Sequence, residues 1–205
     1  MKELKFIHIT KCAGTFIEEM GRDNNIDWGR YHKEYDWWHE IFITKSQQLK
    51  EKYDWFVIVR NPYTRILSEY YCKWGGINHQ SKKNIIIEKK EEFNKFLIDK
   101  ITNKEKSYLY NIEGHHYTEQ YKYIDDSCCQ HIIKLEELDS KLQELFNIYN
   151  IEISVKDYKK INSSKNNSKN ILFTINDFDN ELIKLINDVY KKDFELFGYE
   201  MKKEK

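Results

Sequence analysis

The sequence predicts an α/β fold with a central parallel sheet flanked by helices. Three apolar runs, at residues 6–9, 55–59 and 131–135, have the length and composition of buried strands. A pattern of apolar residues with helical spacing follows each run almost at once. Strands that alternate with helices in this way build parallel sheets, because a parallel connection needs a crossover element.

Length and charge bound the classes of function. At 205 residues the chain predicts a single domain over 1–205. The chain has 34 lysine and arginine residues and 34 aspartate and glutamate residues. Its net charge is therefore zero and would not attract nucleic acid or an anionic membrane. The first residues carry no apolar signal core, and no apolar run approaches the ~18–20 residues of a membrane span. With four cysteines and no C-x-x-C spacing, we expect reduced thiols and a cytoplasmic protein.

The first element, residues 6–16, reads FIHITKCAGTF. The strand breaks into a polar loop that holds Lys11 and Gly14, and a helix with Thr15 as its N-cap is expected next. Backbone N–H groups, the helix dipole and the lysine charge would then converge on one point, which is chemistry for a phosphate-like anion. The loop is not a Walker A sequence, since the lysine precedes the glycine. Taken alone, it could also be an ordinary strand–loop–helix connection.

A second element of the same kind, residues 55–71, reads WFVIVRNPYTRILSEYY. Arg60 ends the strand, Asn61 is expected as N-cap and Pro62 as the first helical residue. The helix is predicted to end at the glycine pair that follows residue 74, and its apolar stripe contains Tyr63, Ile66, Leu67, Tyr70, Tyr71 and Trp74. Ser68 lies off this stripe, where it could share an anion with Arg60.

Between the two motifs lies a segment rich in aromatic and histidine side chains, which includes Trp28, His32, Trp37, Trp38 and His39. It suits a pocket for a sugar or phenol, and equally a set of core aromatics with satisfied histidines. A short helix, capped by Thr44 or Ser46, is expected to lead into the second strand.

Three helices are predicted in the remainder: one near 88–101, one over 138–149, and a last one capped by Asn176 or Asp177. The polar run at 159–170 is either a flexible linker or, as we favour, a lid over a phosphate-bearing ligand. The side chains of the adjacent residues His115 and His116 would point in different directions on a helix or a strand, which argues against a metal site there.

The two motifs resemble the cofactor motifs of sulfotransferases, especially the carbohydrate sulfotransferase branch. The stretches HHYTEQYKYID, HIIKLEELDSKLQELF, KINSSKNN and VYKKDFELFGYE resemble later parts of that family, so the resemblance spans nearly the whole chain. The chain departs from the family at Thr10, where the family usually has proline. The resemblance implies a P-loop-like sulfotransferase fold and 3′-phosphoadenosine 5′-phosphosulfate (PAPS) as the sulfuryl donor, without a metal.

The resemblance also implies roles for individual residues. The first loop would hold the 5′-phosphosulfate, through Lys11 and through the residues Cys12, Ala13, Gly14, Thr15 and Phe16. Arg60 and Ser68 would hold the 3′-phosphate and so select PAPS over ATP. In the polar run, Ser163 and Lys165 would contact the cofactor.

A base must take the proton of the attacking hydroxyl, and the family often supplies it between the two cofactor motifs. We choose His39, which lies between two tryptophans and an apolar run, and place His32 second; Glu34 and Glu40 follow them. The acceptor is a hydroxyl compound: a glycan is preferred, with protein tyrosine and small metabolites open. A P-loop-type small-molecule kinase and a non-catalytic binder of PAPS or of its product are the alternatives.

Overall fold

In the computed structural model, the described residues form a three-stranded parallel sheet with the order β1–β2–β3. The structure describes residues 1–31, 41, 46–72, 87–104, 116–124, 129–158 and 172–204. The strands are β1 (Leu4–Ile7), β2 (Asp54–Val59) and β3 (Cys129–Lys134). Phe6 is in register with Phe56, and Val57 with Ile132. The three predicted strands and their parallel arrangement are therefore confirmed.

Seven α-helices lie within the described ranges. They are α1 (Gly14–Asp23), α2 (Gln47–Lys52), α3 (Pro62–Tyr70), α4 (Lys90–Thr102), α5 (Leu138–Ile148), α6 (Asn180–Val189) and α7 (Lys191–Phe197). Short 3₁₀ turns, among them Gly29–Tyr31, connect some of these elements. The alternation of strands and helices makes this an α/β protein, as the sequence predicts.

The chain divides into two compact units. The first contains Met1–Arg60 and Lys122–Asn162, and therefore the whole sheet; the second contains Asn61–Tyr121 and Ser163–Lys205. The single domain expected over 1–205 stays a prediction.

The core of the first unit packs aromatic side chains around the central strand β2. Trp28 is fully buried, stacks on Phe146 and meets Phe56 edge-on. Its indole Nε1 donates to the backbone oxygen of Leu4 at 2.9 Å, which satisfies the polar end of the side chain. Of the two interpretations of the aromatic segment, core packing is therefore the correct one for Trp28.

The core of the second unit forms between α3, α4 and α6. Phe93 stacks on Phe173 with ring centroids 4.3 Å apart, and Tyr70 contacts Phe93 edge-on. Apolar residues with helical spacing on α4 and α6 are buried here: Phe93, Leu97, Ile101, Leu182 and Ile186. Burial of these stripes supplies the main stabilisation of the helices.

Two helix boundaries predicted in the second unit are wrong. Helix α3 ends at Tyr70, not near residue 74, because the Cys72 N–H turns back to the Glu69 carbonyl and the Tyr71 hydroxyl is held by the backbone of Phe173. Neither Asn176 nor Asp177 caps α6, since both lie in the 3₁₀ turn Ile175–Asp177. Asp177 closes a capping box with Thr174 instead. The residue that caps α6 is Asp179, which accepts from the Leu182 N–H at 2.8 Å.

The cap predicted for α2 is confirmed, since the Ser46 hydroxyl accepts a bond from the Leu49 N–H. Over the stretches that the structure describes, no helix combines the length and the apolar character needed to cross a membrane.

Candidate functional site

Two predicted motifs meet at the carboxyl edge of the sheet. Strands β1 and β2 are parallel neighbours, so the loop after β1 and the residue after β2 emerge side by side. The guanidinium Nη1 of Arg60 donates to the backbone oxygen of Lys11 at 3.1 Å. The lysine loop and the Arg60 guanidinium are thereby joined at one place, and a positive charge at this edge of the sheet favours an anion.

The loop between β1 and α1 has an uncommon backbone. Lys11 and Ala13 both adopt left-handed conformations, with φ of 62° and 59°. Non-glycine residues rarely do so, and each pays a steric cost. Between them, the Cys12 N–H donates to the Ile9 carbonyl at 3.3 Å and the Cys12 side chain is fully buried. Cys12 therefore shapes the turn from inside, and its N–H is already engaged within the loop.

Helix α1 begins at Gly14, with Ala13 as the N-cap residue. The first bond of the helical ladder runs from the Ile17 N–H to the Ala13 carbonyl, so the N–H groups of Gly14, Thr15 and Phe16 have no acceptor within the helix. The prediction of Thr15 as N-cap is wrong: the left-handed turn at Ala13 starts the helix earlier and makes Thr15 its second residue. A helix start with N–H groups of this kind is suited to an anion.

His8 lies against the start of this helix. A Cβ built on Gly14 would overlap the Nε2, Cδ2 and Cε1 atoms of the His8 imidazole, so only glycine fits at this position. His8 is 8% exposed, and its Nδ1 lies 2.8 Å from the Oε1 atom of Glu18 on α1. The ring is therefore fixed on both sides, by the Gly14 backbone and by a carboxylate.

The Glu18 carboxylate is itself held from a third element. Its Oε1 accepts from the Arg30 backbone N–H at 2.9 Å, and its Oε2 lies 2.8 Å from the Arg30 Nε. Gly29, with φ of 57°, has no Cβ, and a Cβ there would overlap the same carboxylate. Burial alone would raise the pKa of Glu18, but the His8 ring and Arg30 together hold it below its usual value.

We expect Glu18→Gln to lower the free energy of unfolding at neutral pH by about 3 kcal/mol, because it removes the buried carboxylate charge that pairs with the Arg30 guanidinium. A carboxyl with a lowered pKa stabilises the fold above its unfolded pKa and loses that stabilisation as pH falls through its folded value. The difference between wild type and variant should therefore shrink below the ordinary glutamate pKa. Urea unfolding at pH 7 and at pH 4 measures it.

Glu144→Gln provides the matched control. This glutamate is exposed on α5 and pairs only with Lys141 at the surface among the contacts described, so its loss should change stability by less than about 1 kcal/mol. Two results would contradict this role of the Glu18 charge. One is an equal loss of unfolding free energy in both variants, and the other is a difference between wild type and Glu18→Gln that is larger at pH 4 than at pH 7.

Ser68 lies on α3, in the second unit, and is 8% exposed. The Asn61 side chain caps this helix by accepting from the Tyr63 N–H at 3.0 Å, and Pro62 occupies the first turn, both as predicted. The proposal that Ser68 acts with Arg60 stays a prediction.

A buried polar group on α3 was missed by the sequence interpretation. Arg65 is 1% exposed and donates to the carbonyls of Thr118 and His116, and Glu69 is fully buried with its Oε2 2.8 Å from the His116 Nδ1. These contacts anchor the segment around residue 118 to α3. The only sequence signal was an arginine and a glutamate four residues apart, a spacing that is usual on exposed helix faces as well.

Four of the predicted site residues, His32, His39, Ser163 and Lys165, lie outside the described residues. The predicted lid at 159–170 lies outside them too. Of the predicted site residues that are described, the structure brings together Lys11, Cys12, Ala13, Gly14, Thr15, Phe16 and Arg60. Across the described ranges, no group of three histidine, cysteine, aspartate or glutamate side chains could hold a metal ion.

Comparison with known proteins gives one match. A family model described as "Sulfotransferase family" matches residues 2–200. No curated protein matches the chain, and no solved structure does. The match covers nearly the whole chain, and so includes both the lysine loop and Arg60.

Proposed function

Because the chain belongs to the sulfotransferase family, we propose that it transfers a sulfuryl group from PAPS to the hydroxyl of a carbohydrate acceptor. The observation that supports this most is the bond between Arg60 and the Lys11 carbonyl, which joins the two anion motifs at adjacent strand ends. A donor with phosphate at both the 5′ and the 3′ position needs cationic groups at two separate places, whereas the phosphates of ATP form one chain at the 5′ position.

In this proposal the first loop binds the 5′-phosphosulfate. The N–H groups of Gly14, Thr15 and Phe16 donate to phosphate oxygens, with Ala13 and Cys12 setting the turn. Lys11 neutralises the charge that builds on the phosphate as it departs. Arg60 and Ser68 hold the 3′-phosphate, and Ser163 and Lys165 add contacts to the cofactor.

The transfer itself needs an in-line arrangement and one proton acceptor. The acceptor oxygen attacks sulfur, the bond from sulfur to the phosphate oxygen breaks, and adenosine 3′,5′-bisphosphate (PAP) leaves. The hydroxyl proton passes to a histidine, which we propose is His39, with His32 second. Three supports carry this choice: the family resemblance, the position between the two motifs and the neighbouring tryptophans.

We expect His39→Ala to abolish sulfuryl transfer and to leave PAP affinity nearly unchanged, because a base acts on the acceptor and not on the nucleotide. Transfer assays and PAP titrations on the same preparation measure the two effects. His32→Ala is the matched control. Full activity in His39→Ala with loss in His32→Ala would assign the base to His32, and activity in both would direct attention to Glu34 and Glu40.

A two-donor assay tests the function. The protein is incubated with PAPS, and separately with ATP and Mg²⁺, together with polysaccharides, tyrosine peptides and small alcohols. We expect PAP and a sulfated polysaccharide from the first mixture and no ADP from the second. ADP formation would favour the kinase alternative, and PAP binding without any product from PAPS would favour a non-catalytic binder.

A further inference from the structure

His8 and Gly14 bracket the phosphate loop, and their contact closes it. His8 directly follows β1, Gly14 is the first residue of α1, and the left-handed residues Lys11 and Ala13 lie between them. The His8 ring occupies the space in which any other residue at position 14 would place its Cβ. The separation of the two ends of the loop is therefore set by the thickness of an imidazole.

The orientation of the ring is fixed by elements outside the loop. Glu18 binds the ring through Nδ1 at 2.8 Å, and it is held in turn by the backbone N–H and the guanidinium of Arg30. Strand β1, helix α1 and the turn Gly29–Tyr31 thus meet at one carboxylate. All of these residues belong to the first unit.

Such an arrangement is more than a core needs. A buried ion-pair network costs desolvation free energy, and an apolar side chain of similar volume would often stabilise the fold as well or better. The network stands beside the start of α1, whose free N–H directions suit an anion, and hydrogen-bond strength falls steeply when such directions change. The residues that hold a binding group in place are commonly built as a second layer of this kind.

We propose that His8 is a positioning residue of the phosphate loop, oriented by Glu18 and Arg30, which sets how tightly the loop N–H groups bind the 5′-phosphate of the donor. This inference rests on the proposed function. In this proposal the buried His8 acts through Gly14 and the helix start, and not by contact with the nucleotide.

The test uses a ratio of two affinities, measured by calorimetry. PAP and adenosine 3′-monophosphate differ only in the 5′-phosphate. The dissociation constant of adenosine 3′-monophosphate divided by that of PAP therefore isolates what the loop contributes. We expect His8→Ala to lower this ratio by about tenfold, and to leave the affinity for adenosine 3′-monophosphate nearly unchanged. A merely structural role would lower the melting temperature without changing the ratio.

A second variant keeps the test valid if His8→Ala folds poorly. His8→Gln can still donate to Glu18 but lacks the ring edge at Gly14, so its melting temperature should lie closer to wild type while the ratio falls as in His8→Ala. The control is His131→Ala in β3, a strand that does not pair with β1. This variant loses a 2.9 Å contact with the Tyr149 hydroxyl and should keep the wild-type ratio.

The outcomes separate the two hypotheses. A wild-type ratio in both His8 variants would overturn the role of His8 and leave the proposed function standing. A ratio near one in the wild-type protein would overturn 5′-phosphate binding by the loop, and with it the proposed function and this inference.

Discussion

Replacing Lys11 with alanine is expected to lower turnover by about a hundredfold to a thousandfold, the usual effect of removing one preorganised charge or donor from a developing anion. The lysine charge matters most when the sulfur–oxygen bond is breaking, because negative charge then accumulates on the departing phosphate. The Michaelis constant and the PAP dissociation constant should change far less than kcat. Steady-state kinetics with PAPS give kcat and the Michaelis constant, and calorimetry gives the PAP dissociation constant.

The backbone does not confound this substitution. Lys11 is left-handed, with φ of 62°, and alanine meets the same steric cost as lysine because both carry a Cβ. Lys141→Ala, on the exposed face of α5, removes a lysine from the same unit and should leave turnover unchanged. Unaltered turnover in Lys11→Ala would assign the stabilisation of the leaving group to another residue.

Arg60→Ala is expected to weaken PAP binding by about a hundredfold, since it removes a charge-assisted contact with the 3′-phosphate. It also removes the 3.1 Å bond to the Lys11 carbonyl, so binding at the first loop should loosen slightly as well. Comparison with AMP separates the two effects, because AMP has the 5′-phosphate alone. AMP affinity should therefore fall much less than PAP affinity.

Arg60→Lys should lie between wild type and Arg60→Ala, because lysine keeps the charge and loses the planar pair of donors. Arg22→Ala is the matched control, since Arg22 is half exposed on α1 and pairs with neighbouring acids at the surface. If Arg60→Ala lowered the affinities for PAP and for AMP equally, Arg60 would only stabilise the Lys11 loop and would not bind the 3′-phosphate.

Sequence reasoning succeeded where a single physical signal dominates. Strand β2 was predicted because an uninterrupted apolar run has no alternative to burial, and its residues Trp55, Phe56, Val57, Ile58 and Val59 are all buried. The parallel arrangement of these strands was predicted as well, and it explains why the lysine loop meets Arg60, since carboxyl ends of parallel strands share one edge.

The sequence could not show features that depend on tertiary partners. Left-handed conformations at Lys11 and Ala13 have no sequence signal, so the cap of α1 was misplaced. His8 and Glu18 are ten residues apart, and no helical or strand period relates them. The glycines at 14 and 29 were the only trace of that network, and each is explained only by the side chain that fills its place.

The predicted end of α3 was wrong for a similar reason. The continuing aromatic stripe predicted a longer helix, but the Tyr71 hydroxyl binds the backbone of Phe173, more than a hundred residues along the chain. The burial of Arg65 and Glu69 on the same helix also depends on residues distant in sequence, because their partners lie in the segment near His116.

The measurement that tests the central claim most directly is a calorimetric titration of the wild-type protein with PAP and with AMP. If the paired motifs form a site for PAPS, PAP should bind at one site per chain and about a hundredfold more tightly than AMP, because only PAP presents a phosphate to Arg60. Equal affinities for the two nucleotides would contradict the account, since the lysine loop would then bind its phosphate without any contribution from a 3′-phosphate site.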